Sequence, residues 1–317
     1  MSARYGVALV AMTALVLFAG CSGTENGTPP PAPGLHFVFE KVIGSAGAGD
    51  GQFSGPSDVA ADAAGALYVV DSGNQRVQKL DNTGAFVLVF GSLGSGPGQF
   101  RDPSGIAVSG SSVYVADVGN ARIEVFTTDG GFLKQFGSQW PEGGSLRKPR
   151  GLAVSTDLVA VADSQQHHVL LYNMSGKLVR TIGQLGIGNG EFEEVWGLAI
   201  IGTKLYAADR ARDDVQVFDL TTGAYLETLG RSGSDRGEFS GPTALASSSS
   251  SLLVLEAGGA RIQLLALTGT PQALVRPEKT PAGSLANPLG MAAWRGGFVV
   301  ADTGHDRLVS FQPKPAS

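Results

Sequence analysis

The 317-residue chain has a single cysteine, Cys21, so intramolecular disulfides cannot form and cysteine-rich zinc sites are excluded. Charge is sparse as well. Asp, Glu, Lys and Arg make up 16% of residues, and 23 basic against 28 acidic side chains give a net charge of −5. An acidic chain with no Lys/Arg block has a poor electrostatic footprint for nucleic acid. Of the four histidines, only His167 and His168 are neighbours in sequence; His36 and His305 are far away. No Ser-His-Asp arrangement or GxSxG motif is visible. Glycine, by contrast, is abundant at 46 residues, and Val, Leu and Ala are plentiful, a composition that leans towards all-β structure with many tight turns.

No apolar run reaches the roughly 20 residues of a membrane span. The longest follows Arg4, from about Gly6 to Phe18, and suits the core of a secretory signal over residues 1–20. Cys21 comes directly after Phe18-Ala19-Gly20, which resembles a bacterial lipobox, with Phe18 where Leu is commoner. The resemblance implies lipidation at Cys21 and an exported protein anchored in the cell envelope, on the periplasmic side of the outer membrane in a Gram-negative cell. Residues 21–34, rich in proline and polar groups, read as a semi-extended tether.

From residue 35 the chain repeats. DSGN at Asp71 returns as DVGN at Asp117, DSQQ at Asp163, DRAR at Asp209, EAGG at Glu256 and DTGH at Asp302, at spacings of 46, 46, 46, 47 and 46. Each copy holds four short β-like runs separated by turn residues, which predicts an all-β, six-bladed β-propeller with four antiparallel strands per blade over 35–312, followed by a tail, 313–317. The sixth copy lacks a fourth strand. The segment His36 to Gly44 matches the missing one and is expected to close the ring on the last blade. Within DSGNQRV, Asp71 is expected to cap its turn through backbone amides, Asn74 to take the left-handed backbone, and Arg76 to start the next strand beside the acid. The GxGxF segments, such as Gly96 to Phe100, read as tight loops whose Phe fills a gap between blades.

The segments GQFSGPSDVA and ALYVVDSGNQRVQKLDNTGAFVLVFG, with their copies, resemble NHL repeats: a Pro before the first strand, VxD-x-x-N-x-R, an apolar third strand and a closing FG. The resemblance covers about residues 36 to 311. It implies a propeller whose relatives range from RNA- or protein-binding modules to amidating lyases, metal-dependent lactonases and streptogramin lyase, so the fold leaves function open.

Aligned copies place Ser57, Ser104, Arg150, Trp196, Thr243 and Leu289 at the central mouth. Next inward come Asp58, Gly105, Gly151, Gly197, Ala244 and Gly290, and two residues on stands a ring of alanines. Val59, Ile106, Leu152 and their counterparts are expected to pack between blades. Only Asp58 could ligate a metal there, and one carboxylate does not make a site, so no metal or other cofactor is expected. Blades three and four break the repeat. Arg147, Arg150, His168, Glu193, Glu194, Trp196, Arg210 and Arg212 gather there, with Trp140 in the same sector, in residue types common at binding hot spots. The sequence therefore favours a monomeric, lipid-anchored envelope module that binds a protein, peptide or glycan through blades three and four and has no chemistry of its own. The alternative is a hydrolase or lyase working at the mouth through Asp58, Glu193, Glu194 or Arg150.

Overall fold

The structure, a computed structural model, describes residues 36–138, 145–247 and 250–314. The expected signal, Cys21, the tether and Trp140 lie outside these residues.

Six four-stranded antiparallel sheets form the propeller. In blade one the strands Pro56–Ala61, Leu67–Asp71, Arg76–Leu80 and Phe86–Phe90 pair in chain order. The innermost strands of the other blades are Pro103–Ser109, Pro149–Val154, Val195–Ile201, Pro242–Ser247 and Gly290–Trp294. The ring closes as the repeat arithmetic requires. Strand Phe37–Ile43 pairs antiparallel with Arg307–Pro313, the last strand of the chain, with Val42 opposite Val309 and Ile43 opposite Leu308.

Second strands such as Leu67–Asp71 are buried along their whole length because both faces meet neighbouring blades. The core accordingly lies between blades. One cluster joins Tyr68, Val70 and Val77 of blade one to Phe100, Val115 and Phe126 of blade two. Phe53, Phe100, Phe192 and Phe239, the aromatics of the GxGxF loops, are fully buried, each contributing about 2 to 3 kcal/mol of burial. Their rings explain the closing FG. Gly91 has φ +85°, and a Cβ there would strike the Phe100 ring. Blade three has Leu146 in place of the Phe, packed in the same way against Gly137.

The Asp-x-x-Asn-x-Arg motif is a staple built differently from the sequence expectation. Asp71 Oδ1 accepts the Ser54 N–H at 2.7 Å, which ties down the incoming loop, while Oδ2 accepts from Arg76 Nε at 2.7 Å and from Asn74 Nδ2 at 2.9 Å. Asp71 makes no side-chain cap to its own turn. The left-handed residue is Gln75, with φ +56°, because it ends the 3-10 turn Ser72–Asn74; the Asn74 side chain instead donates to the Gly47 carbonyl. Blades three and four lack an Arg at the Arg76 position. There the acid does reach the amides of its own turn: Asp163 Oδ1 accepts from Gln166 N–H, and Asp209 Oδ1 from Arg212 N–H.

Candidate site at the central mouth

The innermost strands set the shape of the mouth. Their Gly/Ala side turns towards the next blade's backbone: a Cβ on Gly105 would run into the Arg150 carbonyl, and one on Gly151 into the Trp196 carbonyl. This close approach narrows the channel to a cavity of about 70 Å³, well below the roughly 300 Å³ and more of a pocket that takes a whole small molecule. Val59, Leu152, Leu245 and Met291 pack into the cores between blades, as expected, while also bordering this cavity.

Asp58 is the one carboxylate in the glycine ring. Its Oδ1 accepts the Val59 N–H at 2.8 Å and its Oδ2 the Ile106 N–H of blade two at 3.0 Å, and the Met291 N–H of blade six also faces it. The carboxyl thus satisfies inner-strand donors from three blades. Burial dominates its titration, pushing the pKa up to about 7 against the pull of those three N–H groups. The side chain borders the cavity and remains partly open to it.

Above this floor stands a rim from blades three and four. The guanidinium carbons of Arg150 and Arg210 lie 4.9 and 4.8 Å from the centre of the Trp196 ring. Arg210 Nη1 pairs with Glu194 Oε2 at 3.3 Å. Burial lowers the Arg150 pKa, and Arg210 adds to this, while Asp102 and Glu194 act the other way. Three nitrogen donors here, Arg150 Nε, Trp196 Nε1 and Arg210 Nε, are shielded and have no acceptor among the described residues.

The other residues picked from blades three and four do not join the rim. Arg147 and Glu193 have exposed side chains, and their backbone N–H groups bond Asp163 Oδ2 at 2.6 Å and Asp209 Oδ2 at 2.7 Å. Arg212 is a structural staple, paired with Asp214 and donating to the carbonyls of Gly188 and Glu191. It reaches them just as Arg76 reaches Gly49 and Gln52, but from two residues earlier in its copy. His168 opens the third strand of its blade opposite Asp163, and burial lowers its pKa. Asp102, which the sequence reading passed over, shares its repeat position with Glu194. Its signal was φ +54° at a place where blades one and five have Gly55 and Gly241, both also left-handed.

Among the described residues no group of three or more His, Cys, Asp or Glu could hold a metal ion. The residues present do not fit a resident divalent cation.

Three stretches match known families: the NHL repeat over residues 53–80 and 100–126, and a six-bladed beta-propeller family over residues 145–230. No curated protein matches the chain. Among solved structures, a Bacteroides thetaiotaomicron protein of unknown function aligns with TM-score 0.69 at 13% identity, covering 88% of this chain and 76% of that one. A gluconolactonase from Xanthomonas campestris aligns with TM-score 0.63 at 15% identity over 89% and 99% of the two chains. Virginiamycin B lyase from Staphylococcus aureus aligns with TM-score 0.55 at 15% identity over 80% and 79%. At these identities the likeness shows the fold. It corrects the expectation of a module without chemistry only to this extent: lyases and a gluconolactonase share the fold, so the role has to be argued from the site. The chain is a six-bladed β-propeller whose first two blades match the NHL repeat.

Proposed function

We propose that the central mouth is a hydrolase or lyase site in which Asp58 moves a proton at the reacting group. The observation that carries this reading is a carboxyl with a pKa of about 7 at the floor of a cavity, beneath an arginine and a tryptophan. A group poised near neutrality can both accept and return a proton at working pH. The cavity admits only the reacting group of a substrate, whose body then rests on the rim formed by Arg150, Trp196, Arg210 and Glu194. The similar fold of a gluconolactonase favours a cyclic ester as the reacting group. In hydrolysis, Asp58 would take a proton from the attacking water and return it to the departing ring oxygen. In elimination, it would take the proton from the carbon next to the C–O carbon, whose C–H electrons then form a C=C bond as the carboxylate leaves. The test is turnover of gluconolactone and of a macrocyclic peptide lactone by the purified chain and by Asp58→Asn. Turnover lost in the folded variant supports the site; turnover kept in full places the chemistry elsewhere.

The apolar run before Cys21 supports export and lipid anchoring of this propeller at the cell envelope. Cys21→Ser is expected to release the protein from the membrane fraction, and continued retention would contradict the anchor.

A further inference from the structure

The arginines of this fold fall into two kinds. Arg76, Arg122, Arg212, Arg261 and Arg307 are partnered: each pairs with a carboxylate and donates to at least one loop carbonyl. Arg150 is of the other kind. It borders the mouth cavity, and its contact among the described residues is the stack on Trp196, with no hydrogen bond from its guanidinium. Its Nε is shut away from solvent, whereas its two Nη groups are not among the shielded atoms. The terminal fork is therefore the part that something entering the mouth meets. A stacked guanidinium is held flat, so its fork is organised in advance for a planar or tetrahedral oxyanion. Arg210 places a second cation over the same indole, and Glu194 offsets part of that charge. The open Nη groups of Arg150, which have no acceptor among the described residues, and a second guanidinium on the same indole mark a place prepared for an acceptor.

We propose that Arg150, with Trp196 as its platform and Arg210 as a second cation, binds an oxyanion, a carboxylate or a phosphate, carried by the molecule that enters the mouth. This rests on the catalytic reading for the identity of that molecule as substrate, though not for the binding itself. Asp102 and Glu194 are the carboxylates that act on Arg150 and compete with the ligand.

The experiment is calorimetric titration of the full chain with inorganic phosphate and, separately, with gluconate, which distinguishes the two sources of the anion. At least one is expected to bind, and Arg150→Ala is expected to weaken that binding roughly tenfold or more, as loss of a charge-assisted bond requires. Arg150→Lys should fall between, keeping the charge without the fork. If Arg150→Ala does not fold, Glu194→Gln decides: removing the competing carboxylate should tighten binding. Binding of neither anion, unchanged affinity in folded Arg150→Ala, or unchanged or weaker affinity in Glu194→Gln would overturn the proposal. No turnover enters these readings. Failed anion binding beside Asp58-dependent turnover would condemn this inference alone, and Arg150-dependent binding without turnover would condemn only the catalytic reading.

Discussion

Arg212 Nη2 stands 2.9 Å from Asp214 Oδ2, and this arginine reaches the preceding loop in blade four as Arg76 does in blade one, while Asp209 keeps the loop-binding role of Asp71. The guanidinium has moved two residues upstream in the repeat, yet it still reaches the carbonyls of the preceding loop. Both partners are largely buried, with side chains 11% and 8% exposed. Removing Arg212 strips Asp214 of its partner and pushes its carboxyl, already raised to about 6 by burial, further up. Arg212→Ala is therefore expected to lower unfolding stability by about 3 kcal/mol while leaving chemistry and anion binding at the mouth unchanged in the folded protein. Denaturant unfolding and a binding titration of the same variant check both halves.

Glu124 occupies a place that three other blades fill with glutamine. Gln78, Gln216 and Gln263 each accept a glycine N–H through Oε1 and donate through Nε2 to a loop carbonyl. Glu124 Oε1 accepts the equivalent Gly98 N–H, but Oε2 has no partner, and burial pushes the pKa up to about 7 despite Arg122. The folded state thus binds a proton more tightly than the unfolded chain, whose carboxyl titrates near 4.5. This contribution is fully present below about pH 4.5 and is lost as pH rises through about 7. Glu124→Gln restores the amide donor. It is expected to gain on the order of 1 kcal/mol at pH 8 and to flatten stability between pH 5 and 8. Thermal unfolding across that range measures it; a variant less stable than the parent at pH 8 would be the contrary result.

Strand Phe37–Ile43 joins the two ends of the chain, with Phe37 edge-on to Phe298 at 5.0 Å and Glu40 paired with Arg295. Deleting residues 36–44 removes the fourth strand of blade six and exposes the edge of Arg307–Pro313. Unpaired edges template association, so the truncated chain is expected to unfold at markedly lower temperature and to aggregate. Light scattering together with a melting curve would show this.

The ring was legible because it rests on repetition: six copies, their turn glycines and a displaced fourth strand all follow from spacing. The details of the staple were less so. A sequence does not say which side chain ends a 3-10 turn, so the left-handed position fell on Asn74 rather than Gln75. It does not say that Arg212 can reach the carbonyls of an Arg76 equivalent from a different backbone position, so a structural residue read as a binding one. At the mouth, Arg150 and Trp196 stood out as departures from the repeat, but their stacking, and the arginine's unused donors, depend on three-dimensional approach. Asp58 was visible as the lone acid of the glycine ring. Its raised pKa was not, because that follows from burial among inner strands of three blades.

The central claim is tested most directly by the pH dependence of lactone turnover in the parent chain and in Asp58→Asn. The account predicts a rate governed by one group titrating near pH 7, with turnover lowered roughly 100-fold or more in the folded variant, as for removal of a general acid or base. A parent enzyme whose rate is flat through neutrality, or a variant that keeps the parent rate, would contradict it.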